Sequence, residues 1–297
     1  MKLVVVLYLL IIVFGRILQA IFNKRTSNAL NNLHSFLGFT TFQFFCSCIP
    51  GLLIILFSGN GLTINFPTVI LATLLGTSMF LNSTLSLLAM KSGTVAISSM
   101  FSTAGLLVPL IAGIFLFNAP INIYQWLGVV IFFLATYFLI GSSKKIYKNF
   151  SYKTIFLLLG SLCFSGLSAL AQQLFTFYVP NGDVNTFTFL SFFIVFILGF
   201  IVFICTKKPQ IESENTINKK ALLLSGIALA IAVFLINQFV TLSTALIPPV
   251  ILFTFANGVG TIISTIVAAI LYKEKLTKQS ITGVLLGIAS FIIIKMF

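Results

Sequence analysis

Continuous apolar runs of about 20 residues recur from one end of the chain to the other, and no other feature limits its fold as strongly. A helix of that length crosses a hydrocarbon layer about 30 Å thick. In lipid the backbone must satisfy its own hydrogen bonds, which leaves helices or closed barrels. Barrel strands are nearer ten residues long and alternate in polarity. These runs are longer and do not alternate, so the reading is an all-α polytopic membrane protein. Composition agrees where it bears on the point. Charged residues are 7% of the 297, against about 25% in a soluble domain. With 34 Phe and a mean hydropathy of +1.16, a water-soluble enzyme and a disordered chain are both excluded. The net charge of +13 would suit a nucleic acid. No basic stripe with interleaved aromatics lies outside the apolar runs, however, so the expected partners are the bilayer and a small molecule.

The runs place ten transmembrane spans at about 3–22, 33–57, 66–89, 93–117, 122–141, 154–178, 186–205, 220–242, 246–271 and 279–296. A signal peptide is an alternative for the first, but no small-x-small cleavage site follows it and Arg16 interrupts it, so it is read as span 1. Turn signals close several spans: Ser58-Gly59-Asn60-Gly61, Pro180-Asn181-Gly182-Asp183 and Pro248-Pro249. Lys207 to Lys220, with Glu212 and Glu214, reads as a solvated connector. Tyr124 and Trp126 read as interfacial anchors of span 5. Cys46, Cys48, Cys163 and Cys205 all fall in spans, where no disulfide is expected. Cys46 and Cys48 would sit on opposite sides of a helix and cannot close a metal site, so no metal or other cofactor is expected.

An internal repeat organises the chain. A shift of 155 residues lays Leu116-Phe117-Asn118-Ala119-Pro120-Ile121-Asn122 over Leu271-Tyr272-Lys273-Glu274-Lys275-Leu276-Thr277. The same shift puts Gly128 on Gly283, Gly105 on Gly260, Asn82 on Asn237, Ser99 on Thr254 and Ser102 on Asn257. Two homologous five-helix repeats follow, 1–149 and 150–297. Five crossings return the second repeat from the opposite side, so the halves are inverted, an architecture of transporters with a shared midplane site.

The second repeat closes with Leu271-Tyr272-Lys273-Glu274-Lys275-Leu276-Thr277, then Gly283, Gly287 and an apolar end. This resembles the EamA-like half of the drug/metabolite transporter superfamily, whose repeats end in a Gly-Glu-Arg-Leu-Thr-like loop and a Gly-rich last helix. Phe14-Gly15 followed by Lys24 is similar to the Trp-Gly…Lys pattern that opens the family's first helix. The resemblance covers the whole chain. The first repeat departs from it, with Asn118-Ala119 where a Glu is usual. It implies a ten-helix EamA-like transporter working by alternating access, with a cavity lined by spans 1, 3, 4, 6, 8 and 9.

Basic residues sort by loop. Lys24 and Arg25 follow span 1, Lys91 follows span 3, and Lys144, Lys145, Lys148 and Lys153 follow span 5. Lys207, Lys208, Lys219 and Lys220 follow span 7, and Lys273, Lys275 and Lys278 follow span 9. The even-numbered loops hold none. The positive-inside rule places the odd loops in the cytoplasm and both termini outside a cell membrane. The superfamily resemblance implies cytoplasmic termini instead; the charge asymmetry is preferred because it belongs to this chain and is nearly total.

Arg16 is the one basic residue deep in a span. A central Arg costs about 2.5–3.5 kcal/mol to insert, and no acidic residue lies in any span to pair with it. It faces a cavity and binds an anionic group such as a carboxylate, or it snorkels to the interface. Gln19 is counted with it. Polar residues fall on single helical faces: Ser161, Ser165, Ser168 and Gln172 in span 6; Ser98, Ser102, Gly105 and Pro109 in span 4; Thr254, Asn257, Thr261 and Ser264 in span 9. Helix packing explains Ser, Thr and Gly stripes equally well. Amides are costlier to leave unpaired, which favours cavity lining for Asn82, Asn237, Asn257 and Gln172. The candidate substrate-binding set is Arg16, Gln19, Asn82, Ser99, Ser102, Ser165, Ser168, Gln172, Asn237, Gln238, Thr254 and Asn257.

The lone His34 reads as interfacial, and no catalytic constellation is present, so no enzyme is expected. Organic-cation exporters need an intramembrane carboxylate, and phosphorylated sugars need several cavity cations. Neither is available. The expected function is a secondary transporter, an exporter or exchanger able to act as a monomer, of a small neutral or singly anionic metabolite such as an amino acid. The alternatives are a broader-specificity drug/metabolite efflux protein and a non-transporting membrane protein.

Overall fold

A computed structural model describes residues 2–27, 30, 33–59, 61–92, 101–102, 104–117, 122–140, 152–206, 219–248, 251–258, 262 and 278–296. The described chain is helical and contains no strand. Its helices are α1 (Lys2–Ser27), α2 (Leu33–Ser58), α3 (Phe66–Ser92), α4 (Leu107–Phe117), α5 (Ile123–Ile140), α6 (Tyr152–Tyr178), α7 (Val184–Cys205), α8 (Lys219–Thr244) and α9 (Lys278–Met296). Residues 251–258 form a further helical stretch. Six of them, α1, α2, α3, α6, α7 and α8, are long and apolar enough to cross a membrane, and α4, α5 and α9 are shorter and apolar.

The ends of the elements follow local chemistry. Gly59 and Gly61 stop α2 at φ of +69° and +64°, a backbone region that favours glycine. Asp183 caps α7, its carboxylate accepting from the backbone N–H of Asn185 and Thr186. Hydroxyls along the helices donate to the carbonyl one turn back, as Thr40 does to Phe36 and Thr41 to Leu37, so they cost little in an apolar surround. Phe57, Phe66, Phe115, Ile123 and Phe156 are each at least three-quarters exposed. Side chains of that kind suit lipid and not water.

Several expectations change. Lys24, Arg25 and Lys91 lie within α1 and α3 and not in loops. A helix of 26 residues is about 39 Å long, more than a hydrocarbon layer of about 30 Å requires. Span 4 is not one continuous helix: the chain turns at Gly105–Leu106 before α4 begins. Span 9, expected from 246, starts later: residues 245–248 are not helical and the helix is present by 251, because Pro248 and Pro249 lack the N–H needed to continue from α8. The Leu271–Thr277 motif, and Lys144, Lys145, Lys148, Lys207, Lys208, Lys273 and Lys275, lie outside the described residues.

The helices pack in pairs: α1 on α8, α3 on α6, α2 on α7 and α5 on α9, with α3 also meeting α7 and α2 meeting α8. Glycines permit the closest approaches. A Cβ on Gly15 would stand 3.1 Å from the Ala232 carbonyl of α8, and one on Gly76 would stand 2.7 Å from the Ser191 carbonyl of α7. Each of three apolar clusters joins both halves of the sequence, one of them at α1 and α8. Ile12 of α1, Leu106 and Leu110 of the span-4 segment, Ile236 and Val240 of α8, and Leu252, Phe253 and Ala256 meet there, with Ala169 of α6 packed against them.

Candidate functional site

Three polar groups surround this apolar layer, and the pairing of the helices sets their levels. Tyr8 packs on Phe239 and Gly15 on Ala232 and Ile236, so α1 and α8 run antiparallel. Asn82 meets Ser161 and Leu85 meets Gly160, so α3 and α6 are antiparallel as well.

The first group is built on Arg16. Its Nη1 donates to Gln19 Oε1 at 3.0 Å and its Nη2 to Asn257 Oδ1 at 3.1 Å, while Nε is buried without a partner. Gln19 lies three residues along α1, the spacing at which helical side chains meet. Asn257 arrives from the stretch that follows the proline break. Both partners are neutral amides. Among the described residues the only carboxylate is Asp183, committed to capping α7, so no described carboxylate pairs with the guanidinium. Arg16 therefore does not snorkel out: it is tied inward across the bundle. Ile12, one turn away, belongs to the apolar layer, as does Ala256 beside Asn257.

The second group joins α3, α6 and the end of span 4. Ser161 Oγ lies 2.7 Å from Ser86 Oγ, 2.7 Å from Ser102 Oγ and 3.1 Å from Asn82 Oδ1. Ser86 Oγ is also 3.1 Å from Ser102 Oγ and 3.3 Å from Asn82 Oδ1. Three hydroxyls carry three protons, so these close approaches exchange among a smaller number of hydrogen bonds. Ser165 Oγ donates to the Ser102 carbonyl at 2.7 Å, which also accepts the Gly105 N–H at 3.3 Å. A Cβ on Gly105 would meet the Leu162 carbonyl at 2.7 Å and the Gly166 nitrogen at 2.8 Å. The broken helix therefore rests directly on α6.

The third group lies nearer the α6–α7 turn. Gln172 Nε2 donates to Asn237 Oδ1 at 3.1 Å, and Asn237 Nδ2 donates to the Val233 carbonyl at 2.9 Å. Gln238 Nε2 donates to Asn185 Oδ1 at 2.6 Å, leaving Gln238 Oε1 buried and unpaired.

The expected site residues thus separate. Arg16, Gln19 and Asn257 come together, as do Asn82, Ser102 and Ser165. Gln172 and Asn237 pair, and Gln238 is held by Asn185. Ser168 bonds its own helix at the Phe164 carbonyl. Thr254 is fully buried with its hydroxyl unpaired. Ser99 lies outside the described residues. Sequence reasoning missed Ser86, Asn185 and Gln173. Ser86 sits one turn from Asn82, which was a usable signal; Asn185 and Gln173 stood outside every stripe.

No protein-family model and no curated protein matches the chain. Among solved structures 28 chains match. One crystal structure superposes with a TM-score of 0.71 over 96% of this chain and 95% of that chain, at 12% identity. At this identity the likeness is one of fold. The fold and its long apolar helices define a helical, multi-pass membrane protein.

Proposed function

We propose that this protein is a secondary transporter of the drug/metabolite type, with ten spans arranged as two inverted repeats. It moves a small neutral or singly anionic metabolite, such as an amino acid, by alternating access. The observation that carries this reading is Arg16: a cation inside the bundle, held by the amides of Gln19 and Asn257 and facing no carboxylate among the described residues. Such a group costs stability and is retained for what it binds. A ligand carboxylate would supply the missing counter-charge.

Helix pairing supports the inverted repeats. Exchanging α1 with α6, α2 with α7, α3 with α8 and α5 with α9 maps the packing pairs onto one another: α1 on α8 becomes α6 on α3, α3 on α7 becomes α8 on α2, and α2 on α7 and α5 on α9 map onto themselves. One polar pair follows the same exchange: Ser102 takes Ser161 of α6 and its counterpart Asn257 takes Arg16 of α1, whereas Asn82 takes Ser161 of α6 and its counterpart Asn237 takes Gln172, also of α6. The turn at Gly105–Leu106 interrupts span 4 ahead of α4, and broken helices mark the binding sites of many transporters. On this reading the odd-numbered loops face the cytoplasm of a cell membrane.

The test is metabolite profiling of cells that overexpress the wild-type chain or Arg16→Ala at equal membrane abundance. A class of carboxylate-bearing metabolites shifts between cell and medium with the wild type and not with the variant. An identical shift with both would remove Arg16 from the site, and no shift with the wild type would remove the transport reading.

A further inference from the structure

Helices α2 and α7 leave a groove of about 360 Å³ along their contact. Gly38, Thr41, Phe42 and Phe45 form one wall, spaced as a single face of α2. Phe196, Phe200 and Phe203 of α7 form the other. A Cβ on Gly38 would stand 2.9 Å from the Phe203 ring and one on Gly199 would stand 2.8 Å from the Thr41 hydroxyl, so glycines bring the walls together. Seven residues of helix make the groove about 10 Å long. Phe45 and Phe200 are 48% and 49% exposed, so the groove opens outward, where a membrane helix meets lipid.

One end of the groove is polar and basic. His34, one turn before Gly38, stacks on Phe203 with ring centroids 4.4 Å apart, and its Nδ1 is buried without a partner. Gly226 of α8 faces Phe39 and Phe42, Ser47 Oγ lies 3.2 Å from the Ala230 carbonyl, and Gly51 faces Phe234, so α2 and α8 run parallel. Lys220, exposed and six residues before Gly226, therefore stands level with the first turn of α2, on the helix that backs the Phe42 wall. Arg25, exposed near the end of α1, falls at the same end, because α1 runs antiparallel to α8. The far end is aromatic, with Phe45 and Phe196 ring centroids 5.3 Å apart. An apolar slot beneath a cationic rim complements an acyl chain beneath an anionic head.

We propose that this groove binds an anionic glycerophospholipid of the surrounding bilayer. One acyl chain lies along the phenylalanines, and the phosphate sits at the His34 end, where His34 offers a ring N–H and Lys220 supplies charge. Lys220 selects the head group, since a zwitterionic lipid with the same chains carries an ammonium that it repels. The site shares no residue with the Arg16 group and does not depend on what the chain transports.

Full-length protein in detergent is titrated with dioleoylphosphatidylglycerol or dioleoylphosphatidylcholine, and the first bound lipid is followed by native mass spectrometry. The wild type binds phosphatidylglycerol about fivefold more tightly, which is what one Lys beside an anionic head contributes. Lys220→Gln removes that preference. His34→Phe keeps a ring on Phe203 and weakens both lipids, as does Phe200→Ala. Should Phe200→Ala fail to fold, Phe45→Ala on the facing wall takes its place. Equal affinity of the wild type for the two lipids, or a full preference retained by Lys220→Gln, overturns the site. Displacement of the lipid by glycerol phosphate overturns it in favour of a soluble phosphate. A lipid-free dimer that Phe200→Ala dissociates overturns it in favour of a second copy of the chain.

Discussion

Replacing either partner of the Arg16–Asn257 hydrogen bond gives unequal results if the Arg is kept for binding. Asn257→Leu leaves a guanidinium N–H with nothing to donate to, beside an Nε already unpaired. Losing the acceptor of a charged donor costs about 1.5–3 kcal/mol. Arg16→Leu removes the charge itself. Exchanging a central Arg for Leu gains roughly 3 kcal/mol of insertion free energy. Against that stand two lost hydrogen bonds at about 0.6 kcal/mol each and the loss of the charged donor to Asn257 Oδ1 at about 1–3 kcal/mol. The balance lies within about 1 kcal/mol of zero. At about 2–4 °C per kcal/mol, Asn257→Leu lowers the melting temperature by roughly 3–12 °C, while Arg16→Leu shifts it by less than about 4 °C. The double variant recovers most of the loss, because no charge remains to be paired. Melting in detergent, followed by fluorescence-detected size exclusion, reads all three. If Arg16→Leu melts well below Asn257→Leu, Arg16 is a structural pin and the reasoning fails.

Gly166→Ala should collapse expression or raise aggregation, since its Cβ would drive into Val108 and stand 2.6 Å from the Gly105 carbonyl. Gly113→Ala, with nothing within 4 Å, should be neutral or stabilise α4 by about 0.5–1 kcal/mol; comparable losses at both sites would contradict the tight α4–α6 contact. Asp183→Ala strips two backbone N–H groups and the Thr186 hydroxyl of their acceptor and should cost about 0.5–2 kcal/mol, measured as a lower melting temperature. A C-terminal phosphatase fusion should be active and a C-terminal cytoplasm-only fluorescent reporter dark. The reverse pattern would place both termini in the cytoplasm.

The chain of residues alone determined that the described fold is helical and built for a membrane, because apolar length is a local property that needs no partner to be read. It also singled out Arg16, since a lone cation in an apolar run is costly wherever the helix packs. Gln19 was within reach of the same argument, being three residues away on one helix. Asn257 was legible as a polar residue but not as the Arg16 partner, 241 positions distant. The repeat aligned Asn82 with Asn237 and Ser102 with Asn257, and in the structure the first of each pair shares one cluster while the second are parted between Gln172 and Arg16. Serine and asparagine stripes have the same spacing whether they line a cavity or lock two helices together. Only the tertiary structure decides which helix faces each stripe. That choice separates hydroxyls paired across the α3–α6 contact from the amide of Gln173, buried with nothing to bond.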